Sequence, residues 1–242
     1  KRIIPDYKKY DFSIYSIYDI GLSDQWLLEG GIRYDFSHIN AYKYYRTSLW
    51  EARNYDQLFP EIVVEDLGLN TLTNPKFNFN NFSSNLGTRF TINNGENIYF
   101  NYSISSRKPN PSELFSEGLH HSSARIEIGD LSFNSEVGHN ISLAYNFANE
   151  KSNLTVNSFA NYVNDFIYII PVDLMPTIAG VFQYWEYKQD DAKLFGFDIK
   201  YDRQYFNNFF VGHQFSLIKG YERENNKPLI NMPPANLKNQ FS

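Results

Sequence analysis

The chain of 242 residues is 42% hydrophobic and 18% aromatic, with 21 Phe and 19 Tyr, a net charge of −5 and no cysteine. A disulfide framework and a Cys-ligated zinc site are therefore excluded, and without a Lys/Arg cluster there is no concentrated basic face for a nucleic-acid partner. No run approaches the ~18 apolar residues that cross a bilayer as a helix, so any membrane role falls to strands in which apolar and polar residues alternate.

In chain order, Lys1 to Lys9 is positively charged but lacks an apolar h-region and a cleavage site, so it is not a signal peptide. Phe12 to Ile20 reads as a strand of ambiguous register, followed by a short connection at Gly21 to Asp24. From Gln25 to Phe36, Trp26, Leu28, Gly30, Ile32, Tyr34 and Phe36 fall on one face and Gln25, Leu27, Glu29, Gly31, Arg33 and Asp35 on the other, the period of two that marks a strand. A long connection, Ser37 to Lys76, carries Tyr42, Tyr44, Tyr45, Arg46 and Trp50, a plausible aromatic platform for a flat or catecholate ligand, or a cluster that packs its own loop.

Asn81 to Ile92 and Ile98 to Arg107 alternate in the same way around the short connection Asn93 to Asn97. Lys108 to Ser132 is long again and holds the only paired histidines, His120 and His121. These are candidate ligands for zinc or haem iron through neutral imidazole, although no metal-ligand spacing accompanies them and solvated loop residues are the plainer reading. Arg107, at the end of its strand, points into the interior, either to steer an anionic chelate or to pair with a neighbouring carboxylate. Val137 to Phe147 sets Val, His, Ile, Leu, Tyr and Phe against Gly138, Asn140, Ser142, Ala144 and Asn146. Leu154 to Tyr162, Phe195 to Tyr201 and Phe209 to Leu217 complete eight strands, and a ninth begins near Leu237. Their connections are short at Ala148 to Asn153 and Asp202 to Asn208, and long at Asn164 to Asp190 and Gly220 to Asn236. All ten prolines fall in predicted loops or at strand ends.

Strands this long, joined alternately by short turns and long loops, are how outer-membrane barrels are built, with the turns in the periplasm and the loops outside. A soluble sandwich shares the alternation, but its outward face is usually rich in Lys and Glu. Here the polar face is mostly Asn, Ser, Gly and Gln with scattered charges of both signs, as in a wet lumen. The expected fold is all-β, an antiparallel transmembrane β-barrel, and the number and size of the loops point to an excerpt of a large, plugged parent of ~22 strands.

The stretch Ser106-Arg107-Lys-Pro109-Asn-Pro111-Ser-Glu113-Leu114-Phe115-Ser-Glu-Gly118-Leu-His120-His121, continuing through Glu127-Ile-Gly129-Asp130-Leu131 to Glu136, resembles TonB-dependent receptors, with Asp130 where that family usually has Asn. Leu28-Glu29-Gly30-Gly31-Ile32-Arg33-Tyr34-Asp35 is similar to the family's Gly-x-Arg-Tyr-Asp strand, and Pro233-Pro234 stands before a late strand as it does there. The Gly-x-His form looks most like the zinc and haem uptake branch. The resemblance implies that residues 1–242 form part of a single barrel domain, with the plug and remaining strands outside this window. It also implies residence in the bacterial outer membrane, contact with outer-membrane lipid, coupling to the TonB complex through the plug, and active import of a small-molecule metal chelate, haem, zinc or cobalamin.

Candidate ligand contacts are His120, His121, Arg107, Tyr44, Tyr45 and Trp50, and no resident cofactor is expected. No catalytic motif occurs, so the chain is not expected to be an enzyme. The alternatives are a passive outer-membrane channel or adhesin barrel and a soluble carbohydrate-binding β-sandwich.

Overall fold

The computed structural model describes residues 2–46, 49–206 and 209–242. In chain order the elements are β1 (Tyr7–Gly21), β2 (Trp26–Ala41), β3 (Tyr44–Arg46), α1 (Tyr55–Leu58), a 3-10 turn (Pro60–Ile62), β4 (Val63–Asp66), β5 (Thr71–Thr73), β6 (Lys76–Asn93) and β7 (Glu96–Arg107). They continue with α2 (Pro111–Phe115), β8 (Glu117–His120), β9 (Arg125–Ile128), β10 (Glu136–Ala148), β11 (Ser152–Thr177), β12 (Gly180–Tyr205), β13 (Phe209–Glu222) and β14 (Asn236–Phe241).

Nine of these strands form one antiparallel wall in the order β1-β2-β6-β7-β10-β11-β12-β13-β14, each paired with the long strand next to it in sequence. Register keeps the predicted apolar faces together: Tyr34 stands opposite Phe82, Gly30 opposite Leu86 and Trp26 opposite Phe90. Farther along the wall Tyr102 faces Ile141, Val156 faces Ile199 and Ile199 faces Phe215. A one-residue slip anywhere would send this row to the other side. The row is open rather than packed: Ile32 is 53% exposed and Leu86 56%. Among the described residues no second sheet covers it, the separate three-stranded sheet β3-β5-β4 belonging to the loop after β2, so the sandwich alternative fails. From Trp26 to Phe36 it covers roughly 25 Å of bilayer at ~3.4 Å per residue and a tilt of ~40°, the height of an outer-membrane apolar band.

The short turns are made by local chemistry. Ser23 Oγ accepts from the Trp26 amide at 3.2 Å, and Asn149 Oδ1 accepts from the Ser152 amide at 2.8 Å. Gly95 closes the β6–β7 hairpin at φ +94°, where an added Cβ would lie 2.2 Å from the Ala148 carbonyl oxygen, so only glycine fits. β12 runs to Tyr205, past the predicted start of its turn at Asp202, and residues 207 and 208 of that turn lie outside the described residues, as do 47 and 48 of the first long connection.

The long connections hold the compact core. Ile39, Ala41, Tyr55, Ile62, Leu114, Phe115, Leu131, Phe133 and Ile167 are buried together, with Trp50, Phe59, Phe77 and Phe79 against them. In β2 and β6 the apolar side therefore changes within one strand. Phe36 and Phe82 face outward, while Ile39, Phe77 and Phe79, beyond the membrane band, face the inner side, where the loops fold over them.

One predicted loop is corrected. Residues 164–190 are mostly strand: β11 and β12 continue as a ladder to a turn at Ile178 and Ala179. Register shifts between Val163 and Phe166 and between Pro171 and Asp173 break the clean alternation, which is why period-two reading stopped at Tyr162. Pro171 and Pro176 lie in this extension of β11, where it is an edge strand beyond its pairing with β10.

Candidate functional site

Two polar knots at the extracellular mouth fix the loops to the wall. In the first, Arg107 Nε donates to Glu136 Oε2 at 2.6 Å and its Nη1 to Glu113 at 3.0 and 3.1 Å. Glu113 also takes the Asn110 amide at 2.8 Å in a capping box that starts α2, while Asn110 Oδ1 accepts from the Ser112 and Glu113 amides. Glu136 accepts the Ile167 amide at 2.5 Å. The guanidinium thus ties the end of β7 to α2, β10 and β11. Of the two readings of Arg107, carboxylate pairing is the geometry observed.

The second knot centres on Tyr55, whose ring is fully buried. Its hydroxyl donates to Asp130 Oδ1 at 2.7 Å and accepts from the Leu131 amide at 3.0 Å. Arg53 Nη1 reaches the same hydroxyl at 3.2 Å and the Gly129 carbonyl at 2.8 Å, and lies 3.0 Å from Asp130 Oδ2. Arg53 Nη2 lies 3.8 Å from Glu186 Oε1 on β12. Arg46, also fully buried, donates to the Gly129 carbonyl at 2.9 Å. The loop after β2, the loop after β7 and the β11–β12 extension therefore meet at one point. Burial pushes the Tyr55 phenol up to about 12. Burial also works to raise the Asp130 carboxyl, but donation from Ser132, the Arg53 charge and the Tyr55 hydroxyl outweigh it and hold that group below the usual carboxylate value.

The other candidates separate by strand alternation. Tyr44 is turned inward, edge-on to Phe115 at 6.3 Å, and Trp50 packs edge-on to Tyr55 at 5.4 Å. Tyr42 and Tyr45 are exposed, and line a cleft of about 480 Å³ together with Lys43, Tyr44, Phe115 and Glu117. His120 Nδ1 lies 3.1 Å from Glu127 Oε1, which also accepts from Arg125 Nε at 2.6 Å, whereas His121 is solvent-facing in the following turn. The two histidines do not converge, and among the described residues no group of three His, Cys, Asp or Glu is placed to hold a metal ion. A second cleft, of about 440 Å³ on the inner face, is lined by Lys9, Arg33, Asp35, Ser83, Arg107 and Lys108. Sequence reasoning missed Arg53, Tyr55 and Glu186. Their signal is a long-range junction that no spacing encodes.

The model of the family described as TonB dependent receptor-like, beta-barrel matches residues 2–241. No curated protein matches the sequence. Among solved structures, the chain is similar to the copper transporter OprC, at 15% identity and a TM-score of 0.75 over 98% of this chain and 33% of that one. It is also similar to the ferric yersiniabactin uptake receptor FyuA from Yersinia pestis, at 11% identity and a TM-score of 0.66 over 96% and 30%. A third likeness is to a double mutant of the hemophore receptor HasR of Serratia marcescens in complex with its hemophore HasA and heme, at 16% identity and a TM-score of 0.59 over 89% and 35%. The chain spans about a third of the length of each. With the family model covering nearly all of an outward-apolar wall whose ordered loops lie at one end, the chain belongs to the TonB-dependent receptor-like β-barrels of the bacterial outer membrane.

Proposed function

We propose that this chain forms part of the wall and mouth of an active importer that moves a metal chelate, haem or another scarce nutrient into the periplasm, driven by TonB through a plug. The family match over residues 2–241 carries this reading. The mouth supports it, since its loops are pre-ordered by two ionic knots and so lose little entropy on capturing a ligand. In this reading residues 1–242 belong to a single barrel domain. Tyr42, Tyr45, His120 and His121 offer contacts to the incoming solute, while Arg107, Tyr44 and Trp50 hold the surface that presents them. Outer-membrane lipid is the barrel's solvent, and no enzymatic step is assigned.

A deletion strain grown on single sources of iron, zinc, haem or cobalamin, and complemented with the intact gene, tests the proposal. Growth on one source should depend on the gene and vanish when TonB is inactivated. Uptake that persists without TonB identifies a passive channel instead.

A further inference from the structure

The outward face is not apolar up to its extracellular limit. Register puts His139, Tyr162, Lys193 and Tyr221 in one row across β10 to β13, with Tyr162 opposite Lys193 and Lys193 opposite Tyr221. One step toward the bilayer centre, Lys219 stands opposite Phe195. These last four make a block with two unlike diagonals. Phe195 and Tyr221 stack at 6.1 Å and 16°, while Lys193 and Lys219 occupy the other corners, ~7–8 Å apart on the diagonal of an antiparallel pair. Lys193 Nζ lies 6.0 Å over the Tyr221 ring, and Lys219 is exposed. Immediately below, Phe197, Leu217, Ile199 and Phe215 continue the apolar row.

Lys193 and Lys219 therefore share one small outward patch at the end of the apolar row nearest the long loops. Among the described residues neither is paired with a carboxylate. Asp191, two residues along β12, is taken by Arg223 at 2.6 Å and by the Asp165 amide at 3.1 Å. Two like charges on one patch that faces lipid repel unless an anion comes between them, and an anion on the lipid side of the wall is carried by a lipid. Tyr162 and Tyr221 flank Lys193 in register, and their phenols are of the kind that donate at a membrane interface.

We propose that Lys193 and Lys219, flanked by Tyr162 and Tyr221, bind the phosphate of an outer-leaflet lipid headgroup, with its acyl chains lying along Phe195, Phe197 and Leu217. The proposal needs only the orientation of the barrel wall, so it stands apart from the identity of the transported solute.

The test titrates the full-length receptor in detergent, by native mass spectrometry, with lipid A carrying its phosphates, with phosphatase-treated lipid A and with inorganic phosphate. Wild type should hold the phosphorylated lipid, and Lys193→Gln/Lys219→Gln should weaken it roughly thirtyfold, each charge near the surface contributing about fivefold. The treated lipid should bind both proteins equally weakly, and millimolar inorganic phosphate should not displace the intact lipid. Lys193→Arg/Lys219→Arg should bind like wild type, and so should Lys227→Gln in the outer loop. Unchanged affinity in the double Gln variant overturns the proposal, as does equal binding of treated lipid to wild type or displacement by free phosphate. Heat-modified gel migration reports folding, and the single exposed change Lys219→Gln, expected to cost about fivefold, serves if the double variant does not fold.

Discussion

Tyr55→Phe removes one oxygen from the knot that joins three extracellular segments, and the structure says what is lost. The Leu131 amide, bonded at 3.0 Å in a buried setting, loses its acceptor, and Asp130 loses a donor at 2.7 Å. A buried amide left unpaired costs about 1–3 kcal/mol and a hydrogen bond to a charged group is worth about 1.5–3 kcal/mol. Some of this returns through Arg53, which still faces Asp130. A net loss of about 2–3 kcal/mol is expected, confined to the loops because the barrel ladder is untouched. Native-state hydrogen exchange on the receptor in detergent should show protection of the Leu131 amide falling thirtyfold or more, with amides in the β6–β7 ladder unchanged. A change below threefold would refute the knot as the element that orders the mouth. The phenol adds a pH signature. Its folded value is raised to about 12 by burial, so its contribution is complete below the ordinary tyrosine value of ~10 and is lost as pH rises from there toward 12. Wild type should lose loop protection over that window, and Tyr55→Phe should lack the alkaline limb.

Asp130 gives the opposite limb. Its carboxyl is held below its usual value, so its stabilisation is present above about pH 4 and lost as pH falls further; protection of the Ser132 amide relative to its intrinsic exchange rate should be flat from neutral to mildly acidic pH and fall below it, and Asp130→Asn should abolish that dependence. Arg107→Met strands Glu113 and Glu136 against each other; with the guanidinium partly exposed, about 2 kcal/mol of local order is expected to go, read as faster exchange at the Asp130 amide, which bonds the Glu113 carbonyl. Adding Glu113→Gln should restore part of it, and a rescue of zero would count against the pairing as the cause. Leu86→Lys, on the outward row, should cost about 2–4 kcal/mol and lower the amount of heat-modifiable receptor in the outer membrane, whereas Ser103→Lys on the inner face at similar height should be tolerated. Equal abundance of the two would contradict the assignment of faces.

Much of the wall was legible residue by residue. Trp26 to Phe36, Ile98 to Arg107 and Val137 to Phe147 alternate because each strand meets lipid on one side and water on the other, and a single chain position reports which. Short turns were legible for the same local reason, since Ser23, Gly95 and Asn149 act within a few residues of themselves. The Arg107 to Glu136 stretch announced the family.

The mouth was not legible, and the reason is physical. Above the bilayer the inner face of β2 and β6 is covered by loops, so Ile39, Phe77 and Phe79 reverse the side that carries apolar residues, and two register shifts in β11 hide a strand inside an apparent loop. Tyr44 and Tyr45 look alike in sequence, yet one packs on Phe115 and the other faces solvent, because only the pairing of β3 with β5 determines their sides. Arg53 meets Asp130 and Glu186 across large sequence separations, and Lys193 and Lys219 come onto one patch only through the β12–β13 register. Periodicity carries which solvent a strand faces; which distant side chains share a point is decided by register and loop packing, and those exist only in the folded wall.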